Sequence, residues 1–157
     1  MSEEAMAGTE AVEPPLRDIE EAKQALIDAC AQVSDEEFTW APPQGHSIRA
    51  TLEKAADEVS FFYATLIARA RGRPPLPCMQ SADFLSIREA VIALQVVHRR
   101  FSNLLHDLRP QDLARTAQAE SGATVSLRQA LEMAAQHYRS QAAQVQRLRA
   151  AFQEARS

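Results

Sequence analysis

Glycine is scarce in this chain, with four in 157 residues. That leaves no material for a glycine-rich phosphate loop, and no G-x-S-x-G elbow is present to expose a serine nucleophile. Cysteine is scarcer still: Cys30 and Cys78 lie far apart with no C-x-x-C spacing. A disulfide framework is excluded, and a reducing, cytoplasmic setting is the expectation. No run of about 18 apolar residues occurs, so no membrane span is expected. Basic residues do not dominate either, since 17 Lys and Arg face 21 Asp and Glu for a net charge of -4. Arg99, Arg100, Arg139, Arg147 and Arg149 are scattered, and aromatic residues do not interleave with them. Neither an electrostatic footprint nor a stacking platform for nucleic acid is visible. The first residues, SEEAMAGTEAVE, hold four glutamates and no cation. A secretory signal needs the opposite charge before an apolar core, so residues 1–13 read as a disordered acidic tail.

What the chain has in quantity is Ala, Leu, Gln, Glu and Arg, all good helix formers. The length suits one domain, 14–157, large enough to bury roughly 68–70% of its unfolded surface. Its composition points to an all-α fold. After Pro14 and Pro15, Leu16, Ile19, Leu26, Cys30 and Val33 recur at helical spacing. Cys30 reads as a small core residue. The segment SDEEFTWAPPQGH is rich in turn formers, with Phe38 and Trp40 expected to close one end of the domain. Ser47 is a good N-cap. The helix it opens places Ile48, Leu52, Ala55, Val59, Phe62 and Leu66 inward, with Thr51, Lys54, Glu58 and Phe61 beside them. On spacing alone, Lys54 and Glu58 make a solvated i,i+4 pair.

Three prolines and a glycine interrupt ARARGRPPLPCMQSAD, where Cys78 is the more accessible thiol of the two. Ser86 and Glu89 form a capping box for a third helix. Its face runs Ile87, Val91, Leu94, Val97, Phe101, Leu104, Leu105 and Leu108, and it contains His98. That histidine reads either as a satisfied core residue or as a member of a polar site, whereas His106 falls off the stripe. Ser126 and Gln129 box a fourth helix, whose seam is Leu127, Leu131, Ala134, Tyr138, Val145, Leu148 and Phe152. His137 and Gln141 lie in or beside that seam, one turn apart. Four amphipathic segments joined by Pro/Gly loops imply an up-down four-helix bundle.

Several short motifs resemble the DinB/YfiT-like superfamily of bacterial four-helix bundles. They are Trp40, Ser47-Ile48-Arg49, Leu52 to Asp57, Asp112-Leu113, Gly122, Ser126-Leu127-Arg128, His137 to Gln141, and Gln144-Val145. The resemblance implies a divalent metal, often zinc or nickel, held by three histidines, one on the second helix and two in an H-x-x-x-H turn on the fourth. Residues four apart on one face reach a single ion, and a third helix leaves a position open for water. Carried over, those ligand positions fall on Lys54, His137 and Gln141, and only His137 is a metal ligand of the right kind. A protonated ammonium has no lone pair, and an amide is a poor ligand for zinc or nickel.

The expectation is therefore a binding or interaction module without metal or other cofactor, dimeric as its relatives often are. It would hold a small anionic ligand in a polar pocket of Lys54, Glu58, His98, His137 and Gln141. The alternative is a thiol-dependent transferase or metal-dependent hydrolase of the same superfamily, working through a non-standard site.

Overall fold

The computed structural model describes residues 2–74 and 80–157, with side chains from Val12 onward; Cys78 falls outside them. Helix α1 spans Ser2–Cys30 and the short α2 Asp35–Thr39. The second long helix is α3, Ile48–Asp57, continued by a π-helical segment Glu58–Tyr63 and by α4, Ala64–Ala70. Helix α5 is Ile87–Asn103, followed by a 3-10 turn Pro110–Ala114. Strands β1, Thr116–Gln118, and β2, Thr124–Ser126, form an antiparallel pair before α6, Leu127–Arg156.

The four long rods form an all-α bundle, and side-chain contacts set their directions. Asp18 meets Arg139 and Gln32 meets Arg149, so α1 and α6 run parallel. Glu58 meets His137, while Thr51 and Arg147 line one cavity, so α3 and α6 are antiparallel. Glu53 binds the Phe84 N–H and Arg71 reaches Leu104, so α5 runs with α3 and α4. The order is up, down, down, up, with α1 and α3 at opposite corners, rather than strict alternation. A parallel second and third helix needs a long return, and residues 71–86 are enough to span it.

Other local features depart from the sequence pattern. Helix α1 includes the acidic segment assigned above to a disordered tail, and it carries Pro14 and Pro15 inside it. Alanine and glutamate are good helix formers, and Val12 is buried in the core. Helix α2 is capped by Ser34, whose Oγ accepts from the Glu37 N–H while Glu37 accepts from the Ser34 N–H. Phe38 is fully buried, and Trp40 meets Phe152 edge-on at 5.6 Å. The β pair closes through Gly122 at φ 90°, a region that disfavours side chains. Ser47 and Ser126 cap as expected, and Ser126 and Gln129 complete a reciprocal box. Ser86 caps Glu89, but Glu89 reaches back to Leu85 instead.

Ile19 and Leu26 of α1, Leu52 and Val59, Ile67 of α4, Leu94 and Phe101 of α5, and Leu131, Tyr138 and Val145 of α6 are all buried in one core. Cys30 lies there too, its thiol pushed up to about 12 by burial, which makes it a poor nucleophile. At the far end of α4, Arg71 stitches α5 to the following loop. Its guanidinium donates to the Leu104 and His106 carbonyls at 2.8 and 2.7 Å and lies 3.4 Å from Asp112. The Arg109 N–H, then the arginine charges, hold the Asp112 carboxyl below its ordinary range. Arg71→Ala would leave two carbonyls without their donor and a buried carboxylate with only its Arg109 partners. The expected loss is about 3 kcal/mol in urea unfolding, whereas Arg49→Ala, on an exposed pair, should leave the midpoint nearly unchanged.

Candidate functional site

The π segment places the site. A π turn inserts one residue into the helix, advancing the phase by roughly 100°. Phe62, expected inward, is left at the margin, while Tyr63 and Ile67 enter the core. Phe61 stays 44% exposed. The turn begins at Glu58, which keeps the phase of α3 through its N–H bond to the Lys54 carbonyl and meets His137 of α6.

Glu58 has two neighbours. Its Oε2 lies 3.1 Å from His137 Nδ1, and its Oε1 lies 3.7 Å from Lys54 Nζ. The Lys54 side chain is largely in solvent, at 68% exposure, whereas that of His137 is at 6%. Across the imidazole, Tyr63 packs with its ring centroid 5.3 Å away. His137 Nε2 is buried and has no hydrogen-bond partner among the described residues. Burial lowers the His137 pKa, opposed by Glu58 and the Ala55 carbonyl and assisted by Lys54.

Three cavities open around this group. The first, about 680 Å³, lies between α6, β2 and the π segment, with Tyr63, Val125, Met133 and His137 in its wall. A second, about 380 Å³, is bounded by His46, Thr51, Lys54, Gln141 and Arg147. The third, about 540 Å³, is acidic, with Glu53, Asp57, Glu58 and Glu120 around it. Lys54 borders the second and third; Ser140 belongs to the first and second.

Of the five pocket residues drawn from the sequence, the structure brings four to the α3–α6 junction. Lys54, Glu58 and His137 form one chain of contacts, and Gln141 shares a cavity wall with Lys54. His98 is elsewhere, at the junction of α1, α5 and α6. Its Nδ1 is 2.9 Å from the Tyr138 hydroxyl and its Nε2 is 2.7 Å from Glu20 Oε1. Ser102 closes the same group at 3.2 Å. Burial lowers the His98 pKa against the pull of Glu20. Burial alone would raise Glu20, but the bond and charge of His98 bring it below its ordinary value. His98 is thus a satisfied core histidine, its partner 78 residues away. His46, Tyr63 and Arg147 escaped the sequence reading. His46 and Arg147 lie off the apolar stripes, and the π turn that turns Tyr63 inward has no compositional signature.

Among the described residues, no group of three His, Cys, Asp or Glu side chains is placed to hold an ion.

Both buried histidines tie stability to pH. Each titrates near 6.5 when unfolded and lower when folded. Below that value the unfolded chain binds more protons, so stability falls as pH falls. The melting temperature is expected to drop between pH 7.5 and 5.5. His137→Gln should flatten part of that slope, and a melting temperature independent of pH across this window would refute the assignment.

The comparisons with known proteins agree with this architecture. No curated protein matches the sequence. Among solved structures, the chain is similar to YfiT from Bacillus subtilis, described as a probable metal-dependent hydrolase with an unusual four-helix bundle topology. The TM-score is 0.67 at 18% identity, over 85% of this chain and 83% of that one. At that identity the likeness carries the fold. The family model of the DinB superfamily matches residues 18–145, from the first helix to the fourth, and the chain belongs to that superfamily.

Proposed function

We propose that this protein is a small-molecule-binding module that works without a metal, holding a small anionic ligand beside Lys54 and His137. The chain Lys54–Glu58–His137 carries the reading. It sets an ammonium beside the ligand positions that the superfamily resemblance implies, with Glu58 as its counter-charge. A fixed cation keeps part of the attraction for an anion that a metal would exert. It gives up the polarisation and the lowered water pKa that an ion supplies. Gln141 and Ser140 offer neutral hydrogen bonds in the adjoining wall, as ligand sites commonly do. No helix among the described residues is long and apolar enough to cross a membrane. The reading places the module in the cytoplasm.

A second reading, hydrolase or thiol-dependent transferase chemistry, draws on the fold shared with YfiT and on the unpartnered His137 Nε2. That nitrogen is fully covered, so it reaches a substrate proton only after the wall moves. Metal content separates the two. Purified protein is expected to carry no stoichiometric zinc or nickel; a full equivalent of either would overturn the module and favour the enzyme. Replacing Lys54→His together with Gln141→His should create zinc affinity measurable by calorimetry. No gain from the pair would count against the superimposed ligand positions.

The reading also includes a homodimer. Leu85, Ile92 and Val96, on α5 and just before it, are 79%, 55% and 46% exposed, an apolar strip that suits a second copy. Sedimentation should show a dimer that Ile92→Glu converts to monomer.

A further inference from the structure

We infer that the ligand is an amphipathic carboxylic acid that lies along α6 across two of the cavities. Its carboxylate would sit with Lys54 and Arg147, and its apolar body against Tyr63, Val125 and Met133. This rests on the anion-binding reading above and goes on to specify what the anion is attached to.

The charges around Lys54 decide where the head goes. The cavity toward Glu53, Asp57, Glu58 and Glu120 repels an anion. The cavity toward Gln141 has no carboxylate in its wall and brings Lys54, His46 and Arg147 together. Arg147 is steadied there, because its Nε and Nη2 both donate to Gln144 Oε1, at 3.1 and 2.7 Å. A planar guanidinium held in place suits a carboxylate.

The tail follows from the neighbouring cavity. Its exposed surface is more apolar than polar, and Met133 is 39% exposed over it. A thioether and a phenol ring receive alkyl and aryl groups well. Glu132, in that wall, would turn a second anionic group away, so one charged end is favoured. Ser140 belongs to both cavities and marks their junction. From Gln141 to Met133 is eight residues, roughly 12 Å at the helical rise of 1.5 Å, the reach of a medium-length chain.

The test is a series of straight-chain carboxylates from acetate to octanoate, titrated into the full-length protein and followed by the amide resonances of Gln141 and Val125. Affinity should rise roughly two- to fourfold for each added methylene, with acetate moving Gln141 alone and octanoate moving both. Lys54→Met and Arg147→Met should weaken every member by a similar factor and leave the chain-length slope intact. Met133→Gln, at a partly exposed position, should flatten the slope and spare acetate. Matched alkylammonium ions should bind more weakly at every length. If acetate binds but longer chains gain nothing, the amphipathic ligand is refuted while the anion site stands. If no carboxylate binds, both readings fall. Equal binding of alkylammonium ions would reduce the result to unspecific apolar contact and overturn the inference.

Discussion

Glu58 is the group on which the interior of the α3–α6 seam depends. A half-buried carboxylate needs partners, and it has an imidazole on one side and an ammonium on the other. His137 gains as much from the arrangement as Glu58 does. Desolvation lowers the pKa of a ring this buried, and Glu58 and the Ala55 carbonyl oppose that shift. The π turn completes the surroundings of this pair, because it starts at Glu58 and turns the following residues by one position. Without the inserted residue, Phe62 would lie where Tyr63 now covers His137. An irregular turn that costs local regularity and re-aims several side chains fits the frequent association of π turns with functional sites.

Consecutive residues on α6 serve different interfaces. His137 faces the π segment, while Tyr138, about 100° further round, donates to or accepts from His98 at the junction with α1 and α5. Two polar groups are therefore buried at one level of the bundle, each satisfied by different helices. Buried polar networks cost stability when incomplete and add directional constraint when complete. The His98–Glu20–Tyr138 group is complete and fixes α1 against α5 and α6. The His137 group has one nitrogen without a partner among the described residues. That asymmetry distinguishes a structural histidine from a candidate functional one.

Much of this was legible in the residues, for physical reasons. Long amphipathic stripes and serine caps are local signals, so the four rods and the starts of α3, α5 and α6 could be read directly. Lys54 and Glu58 were visible as a pair four apart, and His137 as a polar interruption of an apolar seam. Non-local facts were not visible. His98 and His137 look alike on their helices, and only Glu20, far away in sequence, separates them. The order of helix directions depends on a connection rather than on any stripe. Three-residue strands are too short to show alternation. Helix α2 left a trace, since Ser34 followed by Glu37 is a capping box, but five residues give no periodicity to notice.

The proposed reading takes Lys54 and Gln141 to stand where the superfamily resemblance implies metal-binding histidines, and that has a consequence for what would replace an ion. Removing a divalent cation from a polar niche would leave Glu58 facing His137 with no positive charge nearby, and a half-buried carboxylate would then be poorly satisfied. An ammonium at position 54 answers that need from the rim, where it stays hydrated and costs little to hold. It also leaves the charge free on its solvent side, toward the cavity shared with Arg147. A histidine at 54 would do neither at neutral pH, because it would be mostly uncharged. Lysine at 54 and glutamine at 141 therefore make sense together: one supplies charge without coordination, the other a hydrogen bond without charge. On the proposed reading, such a niche would hold an anion rather than polarise one, so the proposal expects binding and not bond cleavage.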